Sequence, residues 1–132
     1  MGVGLEIRSG LAAGLVALAS PLAAQGVAPI AVPSGGQVTL FETLHPEPAT
    51  LYVSFVSPTL SCDQGLPYDV AQLDMDALCD IVGLPTAGNA DAPIREVVIR
   101  LMAEPIPYGE ANQQVAQFAS VYDITSGDCE WM

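Results

Sequence analysis

Asp74, Asp76 and Asp80 form the densest group of carboxylates in the chain, and clustered oxygen ligands are what a hard cation such as calcium requires. A calcium loop opening at Asp74 would carry glycine at its sixth position and glutamate at its twelfth; Cys79 and Pro85 stand there instead. The group therefore reads as a helix N-cap, Asp74, followed by two exposed helix acids, and no metal is expected. His45 is the sole histidine. Zinc sites show closely spaced cysteine or histidine pairs and blue-copper sites use two histidines, so neither metal is expected at His45. There is no Cys-x-x-Cys redox pair, no haem-attachment motif and no Gly-x-Ser-x-Gly elbow. The chemistry left to an enzyme would be a carboxylate, His45 or Cys62 working in a groove, as in a small secreted hydrolase or inhibitor-like module. That is the alternative reading; no catalytic residue and no cofactor are expected. Arg100 lies inside the most apolar stretch of the chain, where a guanidinium needs a partner. A buried ion pair with Glu42 on a neighbouring strand is the expected arrangement, and an anionic ligand is the other.

Three cysteines, Cys62, Cys79 and Cys129, allow one disulfide and one leftover thiol, in three pairings. A Cys79–Cys129 bridge closes a loop of about 50 residues and stabilises by about 4 kcal/mol in the chain-entropy model, against about 3 kcal/mol for the shorter Cys62–Cys79 loop. Energy does not separate them. The long bridge is favoured because it ties the C-terminus to a helix, which leaves Cys62 as the unpaired thiol.

Positioning any of these groups falls to one small domain. The first residues carry Arg8, an apolar run from Leu11 to Leu22 and then Ala23, Ala24 and Gln25, the order of a secretory signal. Residues 1–24 are expected to be a signal peptide; Pro21 and the short core speak against an uncleaved membrane anchor, and no integral span is expected after processing. Residues 25–36 read as a flexible lead-in broken by Pro29, Pro33 and the Ser34, Gly35, Gly36 cluster. Residues 37–132 are expected to form a single α+β domain, periplasmic or secreted.

The chain of 132 residues has a formal charge of −12 and contains no lysine. That removes the P-loop, Schiff-base catalysis and any broad basic face for nucleic acid or anionic lipid. The acid excess keeps the chain soluble and repels polyanions.

Val38, Leu40 and Leu44 alternate with Thr39, Phe41 and Thr43, and Leu51, Val53 and Phe55 repeat the pattern, predicting a hairpin over 37–57. A short strand is expected near Tyr68 to Leu73, then a helix from Asp74 with Ala77, Leu78, Ile81 and Val82 on one face. Gly83, Leu84 and Pro85 are expected to end it. Glu96 to Ala103 reads as a central strand covered on both faces. Asn112 is placed to cap a second helix carrying Val115, Phe118 and Tyr122, before a last short strand through Cys129 and Trp131. The expected order is β-β-(β)-α-β-α-β, a mixed sheet of about four to five strands with two helices.

Asp74 with Leu78-Cys79, the Val97-Val98-Ile99 strand, Tyr108-Gly109, Gln117-Phe118, Tyr122 and Gly127 with Cys129-Glu130-Trp131 are the features by which Tyr68 to Trp131 resembles a family of small, uncharacterised exported proteins of marine alphaproteobacteria. The resemblance implies that Cys79 and Cys129 are the family cysteines and that Cys62 is a departure; it implies no activity. The expected function is a non-enzymatic module binding a protein or envelope component. Nothing in the residue pattern names that partner or an oligomeric state.

Overall fold

The computed structural model describes residues 28–61 and 65–132. The expected signal peptide, the first part of the lead-in and Cys62 lie outside the described residues.

Six strands form one mixed sheet in the order in which they occur: β1 (Ile30–Ala31), β2 (Gln37–Leu44), β3 (Thr50–Val56), β4 (Glu96–Met102), β5 (Gln117–Asp123) and β6 (Glu130–Trp131). All neighbours are antiparallel except β3 and β4, which run parallel, Thr50 opposite Glu96 through Val56 opposite Met102. Parallel neighbours need a crossover. Here it holds a helical rod: α1 (Tyr68–Leu78), a π turn (Cys79–Gly83) and α2 (Leu84–Gly88). Leu51, Val53 and Phe55 of β3 and Val97, Ile99 and Leu101 of β4 meet Met75 and Leu78 of α1 in one fully buried core.

The fold is still α+β, but the expected four to five strands and two helices are corrected, among the described residues, to a six-stranded sheet and one helical rod. Phe118 and Tyr122 lie on β5 rather than on a second helix. Their spacing suits both periods, and the alternation of Phe118, Ser120 and Tyr122 is masked because its middle member is polar. A tertiary demand overrides the helical reading: β4 is apolar enough to need a strand on each side, and β5 pairs with it over its whole length.

The rod begins earlier and ends later than expected. Tyr68 opens α1 instead of a strand, Pro67 occupies the N-cap position, and Asp74 lies mid-helix and fully buried. Gly83 is not a left-handed stop but helical, with φ −61°. A Cβ there would stand 3.1 Å from Val97 Cγ1, so glycine lets the rod approach β4 closely. The Leu84 N–H reaches back five residues to the Cys79 carbonyl. This wider turn breaks the ordinary bonding ladder just where Pro85 has no N–H to offer, so the rod continues through the proline. It also turns Ile81 outward, 53 % exposed, off the face expected for it.

Part of the expected lead-in is ordered. β1 pairs with Gln37 and Val38, Val32 is buried, and the Ser34 N–H and hydroxyl donate to the two Asp74 carboxylate oxygens at 2.8 and 2.7 Å. At the other end Cys129 is bonded to Cys79, Cα to Cα 6.3 Å, fastening the tail to the π turn. The 37–57 hairpin contains a bulge between Leu40 and Glu42. The extra residue, Phe41, shifts the alternation, so Leu40 faces the helix opposite Phe55 while Leu44 sits opposite Tyr52 on the other face.

Candidate functional site

The turn between β2 and β3 is built on Pro46 and Pro48, which restrict the backbone, and closes through the Thr50 N–H donating to the Glu47 carbonyl at 3.1 Å. Proline second and a positive φ third is the pattern of a type II turn, where glycine is the usual third residue. Ala49 holds that place with φ +64°. Its carbonyl accepts from the backbone N–H groups of Arg95 and Glu96 at 2.8 and 3.1 Å, locking the turn to the start of β4. A non-glycine residue in this region costs on the order of 1 kcal/mol, and such strain gathers at working sites.

On one side of Ala49 lies a depression of about 420 Å3, with an apolar floor of Pro46, Ala90 and Ile94 and with the exposed residues His45, Glu47, Asp91 and Ala92 at its rim. On the other side lies a second, about 320 Å3, containing Arg95, Glu96, Asp123 and Thr125. The Thr125 hydroxyl and backbone N–H donate to Asp123 at 2.7 and 2.8 Å and, with Arg95 nearby, hold its carboxyl below the usual carboxylate range. The first depression is within the size range of ligand-binding clefts.

His45 is exposed and lines this depression; among the described residues it has no hydrogen-bond partner, and no serine or cysteine lines the depression. The expected aspartate group is dispersed. Asp74 turns to Ser34, Asp76 accepts from Tyr122 and Gln72, and Asp80 is exposed. Among the described residues no three His, Cys, Asp or Glu side chains are placed to hold a metal ion, and no helix is long and apolar enough to cross a membrane.

The expected Arg100–Glu42 pair is corrected. Glu42 and Arg100 flank Ser54 from opposite sides, so β3 separates them by two strand spacings, about 10 Å between backbones. Arg100 instead donates to Tyr52 Oη at 2.9 Å and, through Nε and Nη2, to Gln117 Oε1. Glu42 accepts from the Tyr108 N–H at 3.0 Å, pinning the loop after β4 across this face.

Between the rod and β5 runs a second polar group. Tyr122 Oη donates to Asp76 at 2.6 Å, Gln72 Nε2 donates to Asp76 at 2.8 Å, and the Ser120 and Tyr68 hydroxyls donate to Gln72 Oε1 at 2.7 and 2.9 Å. Burial, reinforced by the Asp76 carboxylate, pushes the Tyr122 phenol well above its ordinary range.

Sequence reasoning missed Ala49, Tyr52, Ser54 and Gln117. A proline-framed turn carrying alanine where glycine is usual was one available signal. Another was Ser54, a polar interruption of the apolar run Leu51, Tyr52, Val53, Ser54, Phe55.

The fold and its sites define a small disulfide-bonded α+β protein with a cleft at one end of its sheet. The chain belongs to the family of unknown function DUF6497, whose model matches residues 12–132. No curated protein and no solved structure matches it.

Proposed function

We propose that this protein is an exported binding module without catalytic chemistry, acting in the periplasm or outside the cell. Its depression beside Ala49 receives a cationic, partly apolar segment of a protein or envelope component. The observation that carries the reading is the make-up of that depression: proline-framed and apolar in its floor, with Glu47 and Asp91 at the rim and, among the described residues, no serine or cysteine beside His45. A net charge of −12 draws a cationic partner and repels nucleic acid. The Cys79–Cys129 bridge suits an oxidising compartment, and the charge and apolar order of residues 1–24 suits a cleaved leader.

The test compares the processed protein with Ala92→Trp, an exposed rim substitution that fills the depression, as baits for an envelope extract. A partner held by the wild type, released by salt and lost by Ala92→Trp is expected. The same proteins on both baits would sink the assignment. N-terminal sequencing of the exported product should begin near Gln25, whereas intact Met1 in a membrane fraction would refute processing.

A further inference from the structure

On the face of the sheet opposite the rod, hydrogen-bond donors outnumber the acceptors that the described residues supply. Arg100 is half-buried, and its partners among the described residues, Tyr52 and Gln117, are both neutral. A guanidinium carries five N–H groups. Three are used here, which leaves one on each terminal nitrogen. Tyr52 is 5 % exposed, and its oxygen accepts from Arg100 while its own proton has no acceptor. Ser54 is fully buried and its hydroxyl has no partner at all. Buried polar atoms are almost always satisfied, so each exception calls for a reason.

These groups share one face of the sheet. Ser54 and Arg100 are directly opposed across β3 and β4, and Tyr52 lies two residues from Ser54 on the same face, about 7 Å along the strand. The nearest acid by register, Glu42, is turned away to the Tyr108 N–H, and the Tyr108 ring stands edge-on to Tyr52 with centroids 4.8 Å apart. Ile106, nearly buried, and Tyr108, half exposed, belong to the loop that borders this patch. The arrangement offers positive charge and more N–H and O–H protons than it has acceptors for; a carboxylate is acceptor-only and matches paired guanidinium N–H groups.

We propose that Tyr52, Ser54 and Arg100 form a binding site for a carboxylate group. The site is separate from the end depression, since Arg100 lies four residues, about 13 Å, along β4 from Glu96. Because the protein as a whole repels anions, recognition here depends on short-range hydrogen bonds rather than on long-range attraction.

The experiment uses the disulfide-bonded exported protein, labelled with nitrogen-15 and titrated with sodium acetate against sodium chloride at equal ionic strength and pH 7. Acetate should shift the Arg100 Nε–H and the amides of Ser54, Arg100 and Ala119 saturably, and chloride should not. A short peptide with a free C-terminus, its C-terminal amide and succinate separate a protein terminus from a small organic acid as the source. Arg100→Gln should weaken acetate binding at least about tenfold. Ser54→Ala should weaken it several-fold with the remaining spectrum unchanged, and it decides the matter if Arg100→Gln does not fold. Equal responses to acetate and chloride, a response to phosphate as strong as that to acetate, or undiminished binding in Ser54→Ala would overturn the proposal.

Discussion

The two faces of the sheet carry polar groups of nearly the same composition with opposite bonding. Beneath the rod, Tyr122, Ser120 and Gln72 surround Asp76. On the other face Tyr52, Ser54 and Gln117 surround Arg100. Around the carboxylate every hydroxyl proton finds an acceptor within the protein. Around the guanidinium two hydroxyl protons do not. The first group is a closed seam that joins the rod to β5; the second is complete only when something else supplies an acceptor. Similar side chains thus serve assembly on one face and recognition on the other, and the sign of the central charge sets which.

Substitutions can break or sharpen this contrast. The largest effect belongs to the covalent link that keeps the rod against the sheet's last strands: Cys129→Ser should lower unfolding free energy by about 4 kcal/mol, given a loop closed over a separation of 50 residues, as measured by denaturant titration. Tyr122→Phe removes the shortest bond of the seam and should cost about 2 kcal/mol, because the bond lost is to a charged group. Its pH signature has a defined sign. The Tyr122 phenol titrates higher in the folded protein than in the unfolded chain, so its contribution is whole below about pH 10 and is lost progressively as pH rises above it. Wild-type stability should therefore fall in alkali, and Tyr122→Phe should flatten that fall; parallel curves would show that the seam is not what titrates.

The sharpest comparison pairs two serines. Ser120→Ala should destabilise by about 1 kcal/mol, whereas Ser54→Ala should stabilise by about 1 kcal/mol because it removes a buried hydroxyl with no partner. Thermal melts giving the same sign for both would erase the distinction between the faces. The smallest change is expected at the turn. Ala49→Gly relieves a positive φ and should raise stability by at most about 1 kcal/mol, read from the same melts.

Elements whose signals are local and agree with their surroundings are legible in the amino-acid sequence. The 37–57 hairpin, apart from its bulge, and the Glu96–Met102 strand follow from apolar alternation and from a nearly continuous apolar run. Elements decided by distant partners are not. Asp74 carries every local mark of an N-cap, yet its position is set by Ser34, forty residues away. Gly83 and Pro85 look like terminators, but close approach to Val97 and a π turn carry the rod past them. Of the candidate sites, Arg100 stands out as a charge in an apolar strand, while its setting depends on which strand lies between it and Glu42. Of the end depression only the proline-framed turn has a signature, because the cleft itself is made by that turn and a loop that approach only once β3 and β4 are paired.

The bond between Ser34 and the mid-helix carboxylate sets a hard limit on proteolytic trimming. Erosion from the start up to Pro33 would already remove β1 and the buried Val32, but would keep both donors to Asp74. Removing one more residue would leave the buried Asp74 carboxyl without either of these donors, so the shortest fragment able to survive in a protease-rich environment should start at or before Ser34.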